Sequence, residues 1–230
     1  MTAFSANEQL IGDVREIHFF LDVEGESVPG ILVLATDPSE PPPLLLMQHP
    51  GTSSKDDYFV RDMALRWAQR GWACAGIDAP LHGERRVHDP MALFREPSKY
   101  GEVTSQFSRE LTATVDELRG RYGLSDSRLG YIGYSLGSML GIPAVARDGR
   151  FTVAAFCLVG EGGMVGPATG PDVQGLAGVA VRIVGKINDE LIPRTATEAL
   201  YEALPGRKDI VWLPGGHFEI GPDVVRSAEE

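Results

Sequence analysis

Short segments that are wholly or mostly apolar recur along this chain and alternate with segments of helical spacing. Segments of the first kind suit strands that are covered on both faces, as in a parallel sheet. We predict such strands at residues 44–47, 72–77, 128–132, 153–159, 179–184 and 208–213. Helices are predicted between them at residues 56–70, 102–119, 136–147 and 195–204. The alternation predicts an α/β fold, with a mostly parallel central sheet and helices on both faces.

Two segments near the start, 14–23 and 28–35, alternate apolar with polar residues and are separated by the turn-prone residues 24–27. Alternation is typical of half-buried strands, and a short turn joins two of them into a hairpin. We expect this N-terminal hairpin to form the antiparallel edge of the sheet. No repeat interrupts the chain, and 230 residues suit one core, so residues 1–230 are predicted to form a single domain.

Composition excludes several function classes. No segment approaches the roughly 18 consecutive apolar residues of a membrane span, so no membrane partner is expected. A net charge of -11 repels phosphate backbones, which argues against a nucleic-acid partner. The first residues, MTAFSANEQLIGDVREI, contain neither a basic leader nor an apolar region, so we expect a cytoplasmic location. Cys74 and Cys157 lie in apolar segments and are expected to be buried thiols rather than a disulfide or a zinc site.

The segment GYSLG, residues 133–137, lies between a predicted strand and a predicted helix. In a G-x-S-x-G turn the serine occupies a strained strand-to-helix corner, and the flanking glycines let strand and helix approach without a Cβ clash. That geometry directs the hydroxyl outward. We therefore predict Ser135 as a nucleophile, the alternative being a purely structural serine.

A serine hydroxyl is a weak nucleophile until a base takes its proton. Of the five histidines, only His217 follows Ser135, and hydrolases with this turn have the chain order serine, acid, histidine. His217 follows two glycines just past the last predicted strand, and they give its loop freedom to approach the serine. We predict His217 as the base, the alternative being a surface histidine in a glycine-rich turn.

The acid that orients the histidine is expected after a strand between those two positions. Asp189 fits best, because it follows the strand at 179–184 and its carboxylate would accept a hydrogen bond from His217 Nδ1, leaving Nε2 free as the base. Asp172 and Glu161 are the alternatives.

A tetrahedral intermediate also needs two donors for its oxyanion. The N–H of Leu136, directly after the serine, is one. The second is expected from the loop after the strand at 44–47, where Pro50 has no N–H, leaving Gly51 first and Thr52 second. We expect His49 to brace this loop.

Irregular segments that follow apolar strands predict where a substrate would bind. Residues 160–178 are too short and too rich in glycine and proline for a helical cap domain, which predicts an entrance that is open or only partly roofed and small or slender acyl groups. Arg85, Arg86 and Arg95 form a basic patch that either grips a substrate carboxylate or pairs with surface acids. Candidate pocket walls, each of which packs equally well as ordinary core, are Leu81, Met91, Phe94, Met164, Val165, Leu191 and Phe218.

Taken in order, five short motifs give the chain a resemblance to the α/β-hydrolase superfamily and, within it, to the dienelactone hydrolase-like esterases. The motifs are HPGTSSKDD at 49–57, DAPLHGER at 78–85, GYSLG at 133–137, IND at 187–189 and GGH at 215–217. The resemblance covers nearly the whole chain and implies an α/β-hydrolase fold without a sizeable cap domain.

The same resemblance implies Ser135, Asp189 and His217 as a catalytic triad and an oxyanion donor at Gly51. Many relatives have glycine where Pro50 stands, which bears on the second donor and not on the triad. The predicted protein is a serine hydrolase that needs no cofactor or metal and cleaves a small-molecule carboxylic ester through an acyl-enzyme. The alternatives are a thioesterase, lactonase, peptidase or acyltransferase with the same triad, or a binding protein that kept the fold without catalysis.

Overall fold

The computed structural model describes residues 3–162 and 173–230. Within those residues it contains nine strands: β1 (Phe4–Ile11), β2 (Val14–Val23), β3 (Glu26–Ala35), β4 (Leu44–Gln48), β5 (Ala73–Ile77), β6 (Leu129–Tyr134), β7 (Val153–Cys157), β8 (Ala180–Lys186) and β9 (Lys208–Leu213). The α-helices of the same residues are α1 (Arg61–Ala68), α2 (Pro97–Tyr122), α3 (Leu136–Asp148), α4 (Arg194–Ala203) and α5 (Pro222–Glu229). Short 3₁₀ turns occupy Gly83–Arg85, Pro90–Arg95 and Gln174–Leu176.

All nine strands form one open sheet in the order β1-β2-β3-β5-β4-β6-β7-β8-β9. The strands from β4 to β9 pair in parallel, whereas β1, β2 and β3 pair antiparallel and β3 joins β5 antiparallel. The predicted fold class, a mostly parallel sheet with an antiparallel N-terminal edge, is therefore confirmed.

The antiparallel edge has one strand more than the predicted hairpin. β1 lies outside β2, and its residues are exposed except for the half-buried Phe4. Because neither face of β1 is covered by a core, its sequence FSANEQLI has no apolar alternation that would predict a strand. The loop that begins at His49 consequently follows the fourth strand of the chain rather than the third.

Helices cover both faces of the sheet and divide its core into two clusters. One cluster includes residues of α2, α3 and α4, and the other includes residues of α1 and α5. Successive residues of β4 point to opposite clusters, with Leu44 and Leu46 in the first and Leu45 and Met47 in the second. This two-sided burial is why the central strands are apolar at nearly every position.

Three helices differ from the prediction, and one of them, α2, begins at Pro97 and ends at Tyr122, beyond both bounds of the predicted 102–119. α1 begins at Arg61 rather than near residue 56, because residues 54–60 form turns in which Asp57 O accepts the N–H groups of Val60 and Arg61. Phe59 and Val60 are buried from that turn, which extends the helical spacing of apolar residues beyond the helix itself. α5 was not predicted, although Pro222 is at its first turn and Val224, Val225 and Ala228 form its buried stripe.

The carboxyl ends of four parallel strands meet at one edge of the sheet. Gln48 of β4 pairs with Gly133 of β6, and Lys186 of β8 pairs with Leu213 of β9. The loops that follow these strands contain the predicted oxyanion loop, nucleophile, acid and base. Open α/β sheets bind ligands at this edge.

Across residues 3–162 and 173–230, none of the helices combines the length and the apolar composition that a bilayer crossing needs.

Candidate active site

Ser135 lies at a strained corner between β6 and α3. Its backbone has φ +49° and ψ −108°, a conformation that residues with a Cβ rarely adopt. A Cβ on Gly133 would lie 2.6 Å from the carbonyl of Gly137, and a Cβ on Gly137 would lie 2.5 Å from Gln48 O. Both glycines of GYSLG are therefore needed for close approach of backbone to backbone.

Ser138 supports this corner, and sequence reasoning missed it. Its side chain is fully buried, and its hydroxyl donates to Gly133 O at 2.7 Å and accepts the N–H of Cys157 at 2.9 Å. The N–H of Ser135 itself donates to Cys157 O at 2.8 Å. These bonds tie the corner to the neighbouring strand β7, so the strained backbone has support from two sides.

The structure brings Ser135, His217 and Asp189 together. Ser135 Oγ lies 2.8 Å from His217 Nε2, and His217 Nδ1 lies 2.9 Å from Asp189 Oδ2 and 3.0 Å from Oδ1. A carboxylate accepts and does not donate, so the ring proton belongs on Nδ1 and Nε2 is left to accept the serine proton. The His217 side chain is 5% exposed, so little water competes for this arrangement.

Asp189 is held in place by its own loop. Its Oδ1 accepts the N–H groups of Leu191 at 2.9 Å and Ile192 at 2.7 Å. Burial acts to raise the pKa of this carboxyl, but the hydrogen bonds from His217 and from the two backbone N–H groups outweigh it and lower the pKa below 3.8. The carboxylate is therefore ionised at neutral pH.

Of the two alternative acids, the structure describes Glu161. Glu161 follows β7, and the N–H of Glu161 donates to Ala196 O at the start of α4. Asp172 lies outside the described residues. Among the described carboxylates, the one within hydrogen-bond distance of His217 Nδ1 is that of Asp189.

The predicted oxyanion donors lie on two segments beside the serine. Leu136 is the first residue of α3, so its N–H has no acceptor within the helix. Gly51 and Thr52 follow β4, the strand paired with β6, and Thr52 adopts φ +64°. A β-branched residue in the left-handed region is strained, and such strain is concentrated at functional sites. Leu136 and Gly51, with Thr52 as the alternative, stay the predicted donors.

His49 braces the loop that contains Gly51. Its side chain is fully buried, and its Nε2 accepts the N–H of Ala79 at 3.0 Å. The ring proton is therefore on Nδ1, which donates to Pro50 O at 2.7 Å. Burial lowers the pKa of His49 to about 3, so the ring is neutral at any pH near 7.

The loop after β5 packs against His49 and the loop that His49 supports. Asp78 is fully buried and accepts the N–H groups of Lys55 and Glu84, both at 2.8 Å. Gly83 N–H donates to Ser53 O at 3.3 Å. Asp78 therefore holds its loop through side-chain-to-backbone bonds.

Neither a protein-family model nor a curated protein sequence matches the chain, but solved structures do. A cold-adapted esterase from an Arctic intertidal metagenomic library is 26% identical, with a TM-score of 0.81 over 97% of this chain and 94% of that one. An acetyl xylan esterase from Paenibacillus sp. R4 is 18% identical, with a TM-score of 0.75 over 97% and 85% of the two chains. A Klebsiella pneumoniae subsp. pneumoniae MGH 78578 protein assigned as a dienelactone hydrolase is 22% identical, with a TM-score of 0.68 over 94% and 88%.

The chain belongs to the α/β-hydrolase superfamily.

The basic patch of this α/β-hydrolase is largely occupied by internal pairing. Arg85 donates to the buried carboxylate of Glu110 at 2.8 and 2.5 Å and also to Asp78 O. Arg95 pairs with Asp89 on the surface. Arg86 is exposed. Two of the three arginines are therefore paired with the protein's own acids, the second of the two alternatives that the sequence leaves open.

The candidate pocket residues of the hydrolase divide into three groups. Leu81, Phe94 and Leu191 are half-buried and pack against the core cluster that includes α2, α3 and α4. Phe218, next to His217, is 76% exposed, with its ring centroid 5.6 Å from that of the imidazole. Met91 lies in the 3₁₀ turn before α2, and Met164 and Val165 lie outside the described residues. Their contact with a substrate stays a prediction.

Among the residues that the structure describes, no group of three or more His, Cys, Asp or Glu side chains is spaced to hold a metal ion. The two cysteines are free and buried, as predicted.

Proposed function

We propose that this α/β-hydrolase is a serine esterase that cleaves small-molecule carboxylic esters through an acyl-enzyme. The observation that carries the proposal is the contact of 2.8 Å between Ser135 Oγ and His217 Nε2, with His217 Nδ1 on the Asp189 carboxylate. A hydroxyl, an imidazole and a carboxylate in that sequence form the constellation that activates a serine.

In the proposed reaction, Ser135 Oγ attacks the ester carbonyl carbon while His217 Nε2 takes the hydroxyl proton. The carbonyl oxygen becomes an oxyanion, which the N–H of Leu136 and that of Gly51 (or Thr52) stabilise. His217 returns the proton to the departing alcohol, and the acyl group stays on the serine. Water then attacks the acyl-enzyme with His217 again as the base, which releases the acid and regenerates the hydroxyl. Apart from the ester and the water molecule, the chain supplies every group used in these steps.

The similar structures favour esters, and among esters they favour small acyl groups. The structure with the 26% identity is named as an esterase, and two others are named as acetyl xylan esterases, whose name specifies the two-carbon acetyl group. In the described part of the segment between β7 and β8, the regular structure is one 3₁₀ turn, Gln174–Leu176. We therefore expect the enzyme to accept an acetyl, propionyl or similarly slender acyl group.

Replacement of the nucleophile tests this proposal. We expect Ser135→Ala to lower kcat for p-nitrophenyl acetate or butyrate by about four or more orders of magnitude, because the remaining site has no nucleophile to form the acyl-enzyme. Ser127→Ala, at an exposed loop serine, is the matched control and keeps the wild-type rate. A fluorophosphonate is expected to label the wild-type protein stoichiometrically and S135A not at all.

Near wild-type turnover by purified S135A would overturn the proposal. A pocket that labels slowly with the fluorophosphonate and turns over no ester would identify a binding protein instead. An anilide, thioester or lactone cleaved with a kcat/KM comparable to that of the best ester would replace the esterase assignment by the matching hydrolase class.

A further inference from the structure

The loops that contain Asp189 and His217 are joined beyond the end of the sheet. Past the last strand pair, Ile187 N–H donates to Leu213 O at 2.9 Å, and Asn188 N–H donates to Gly215 O at 3.1 Å. The buried Lys186 adds a third link, because its Nζ donates to Pro214 O at 2.8 Å. The two loops therefore extend the β8–β9 ladder as far as the catalytic candidates.

Glu190 is the last link and the one that contacts the histidine itself. Its Oε2 accepts the main-chain N–H of His217 at 2.8 Å. Two consecutive acids thus hold one residue, Asp189 by the imidazole ring and Glu190 by the backbone. A hydrogen bond to an ionised carboxylate is roughly twice as strong as a neutral one.

Gly216 leaves open the space that the Glu190 carboxylate occupies in this contact. A Cβ at residue 216 would lie 2.5 Å from Glu190 Oε2 and 3.5 Å from Asn188 O. Gly215 has φ +98° and needs glycine for its backbone conformation, whereas Gly216 does not have a positive φ. The absent side chain at Gly216 is therefore required by the approach of the Glu190 carboxylate and not by backbone strain.

We propose that Glu190 is a positioning residue for His217, an inference that rests on the proposed serine-esterase function. His217 must keep Nε2 on the serine while its ring changes from neutral to charged and back. Asp189 fixes the rotation of the ring, and Glu190 fixes the main chain from which the ring extends. A displacement of about 1 Å in a catalytic group can cost about a hundredfold in rate, so both restraints are needed.

The hydrogen bond can be tested without turnover. In protein labelled with ¹⁵N-histidine, the His217 amide is assigned by its loss in His217→Asn, and its hydrogen-exchange rate is compared between variants. We expect Glu190→Ala to accelerate exchange at this amide by tenfold or more and to leave the other four histidine amides unchanged, because they lie elsewhere in the fold. Glu190→Gln retains a carbonyl acceptor and is expected to keep most of the protection.

The consequence for catalysis is tested with the same variants. We expect E190A to lower kcat for p-nitrophenyl acetate by about ten- to a hundredfold with KM changed by about twofold or less, and E190Q to stay within about threefold of wild type. Glu117→Ala, which removes a surface glutamate paired with Arg121, is the control and keeps the wild-type kcat.

Gly216→Ala approaches the same contact from the other side. It leaves Glu190 in place but fills the space of its carboxylate, so we expect a loss of kcat similar to that of E190A. Added to E190A, the same alanine meets no carboxylate and is expected to cost little more. This non-additivity is the mark of two residues that act on one contact.

An unchanged exchange rate of the His217 amide in E190A would overturn the proposal, and so would additive losses in the G216A/E190A pair. So would a wild-type kcat for E190A in a protein whose S135A variant is inactive; that outcome leaves the esterase function intact. Near wild-type turnover by S135A would instead overturn the esterase function, whatever Glu190 does.

Discussion

The loops after β4 and β5 and the loops after β8 and β9 each contain a buried histidine and a buried aspartate side chain at the same edge of the sheet: His49 and Asp78 in the first pair, His217 and Asp189 in the second. In the first pair, His49 bonds to Pro50 O and Ala79 N–H, and the Asp78 carboxylate accepts main-chain N–H groups. In the second pair, the carboxylate of Asp189 accepts the Nδ1 proton of His217, whose Nε2 faces the hydroxyl of Ser135.

The different hydrogen-bond partners suit the two histidines to different roles: His49 to the support of its loop, and His217 to proton transfer. Both nitrogens of His49 are bonded to main-chain groups that neither give up nor take a proton, so the ring can only hold the loop in place. In His217 the partners are side chains: Glu190 accepts its main-chain N–H, the Asp189 carboxylate accepts the Nδ1 proton, and Nε2 faces the Ser135 hydroxyl, whose proton it can take. Residue type and burial alone do not distinguish the two histidines.

The largest effect expected from this comparison is that of Asp189→Asn on kcat. Asp189 Oδ1 accepts two backbone N–H groups, so the asparagine oxygen is expected to stay there and the NH₂ group to replace Oδ2 beside His217 Nδ1. An amide that donates to Nδ1 moves the ring proton to Nε2, where it removes the base. Ester hydrolysis by purified D189N is expected to fall by about three to four orders of magnitude in kcat.

Asp209→Asn, at an exposed aspartate that pairs with Arg182 on β8, is the control and is expected to retain the wild-type rate. If D189N stays active while Glu161→Gln becomes inactive, the acid that orients His217 is Glu161 and not Asp189.

Next in size is the effect of His49→Phe, which tests the supporting role of the first pair. The phenyl ring fills a similar volume but leaves Ala79 N–H and Pro50 O buried without partners, which costs about 2–4 kcal/mol in the free energy of unfolding. Because Pro50 adjoins the predicted donor Gly51, we also expect kcat to fall about tenfold, much less than in D189N. Urea unfolding and ester hydrolysis measure the two effects.

His88→Phe serves as the control for H49F, since His88 is exposed. A loss of kcat in H49F as large as that in D189N would mean that His49 does more than support its loop.

The parallel part of the fold is predictable because its strands are covered on both faces. Burial on two sides forces apolar residues at nearly every position, and β5, buried throughout at residues 73–77, lies within the predicted 72–77. β1 is exposed on both faces and left no such pattern. The start of α1 was placed too early because Phe59 and Val60, buried from a turn, continue the helical spacing of Met63 and Trp67.

The candidate site divides in the same way. Ser135, Asp189 and His217 could be selected because chain order and the glycines around them leave a pattern in the sequence. Ser138 and Glu190 could not, because each bonds to a main-chain group of a segment that only the folded sheet brings near. One domain, a cytoplasmic location and small acyl groups stay predictions.

The smallest expected effect is on the pH dependence of the free energy of unfolding, and it concerns Asp78 and Asp189. Burial raises the pKa of Asp78 above 3.8, although the N–H groups of Glu84 and Lys55 act against it, whereas the pKa of Asp189 is lowered below that value. A raised folded-state pKa gives a contribution to stability that is full below pH 3.8 and is lost as the pH rises through the folded pKa. For Asp189, the contribution is full above 3.8 and is lost only as the pH falls through its folded pKa.

Asp78→Asn makes this difference measurable. Each Asp78 carboxylate oxygen accepts a backbone N–H, and the asparagine NH₂ group would replace one of these acceptors with a donor. D78N is therefore expected to have a lower free energy of unfolding than wild type. Its deficit should shrink as the pH rises from 4 to 6, whereas the deficit of D189N should stay level over that range. Urea unfolding at both pH values measures the deficits, and subtraction from wild type cancels the titration of His49, which both proteins share. A deficit for D78N that grows with pH would show that Lys55, whose Nζ lies 3.7 Å from Asp78 Oδ2, stabilises the ionised carboxylate more than burial opposes it.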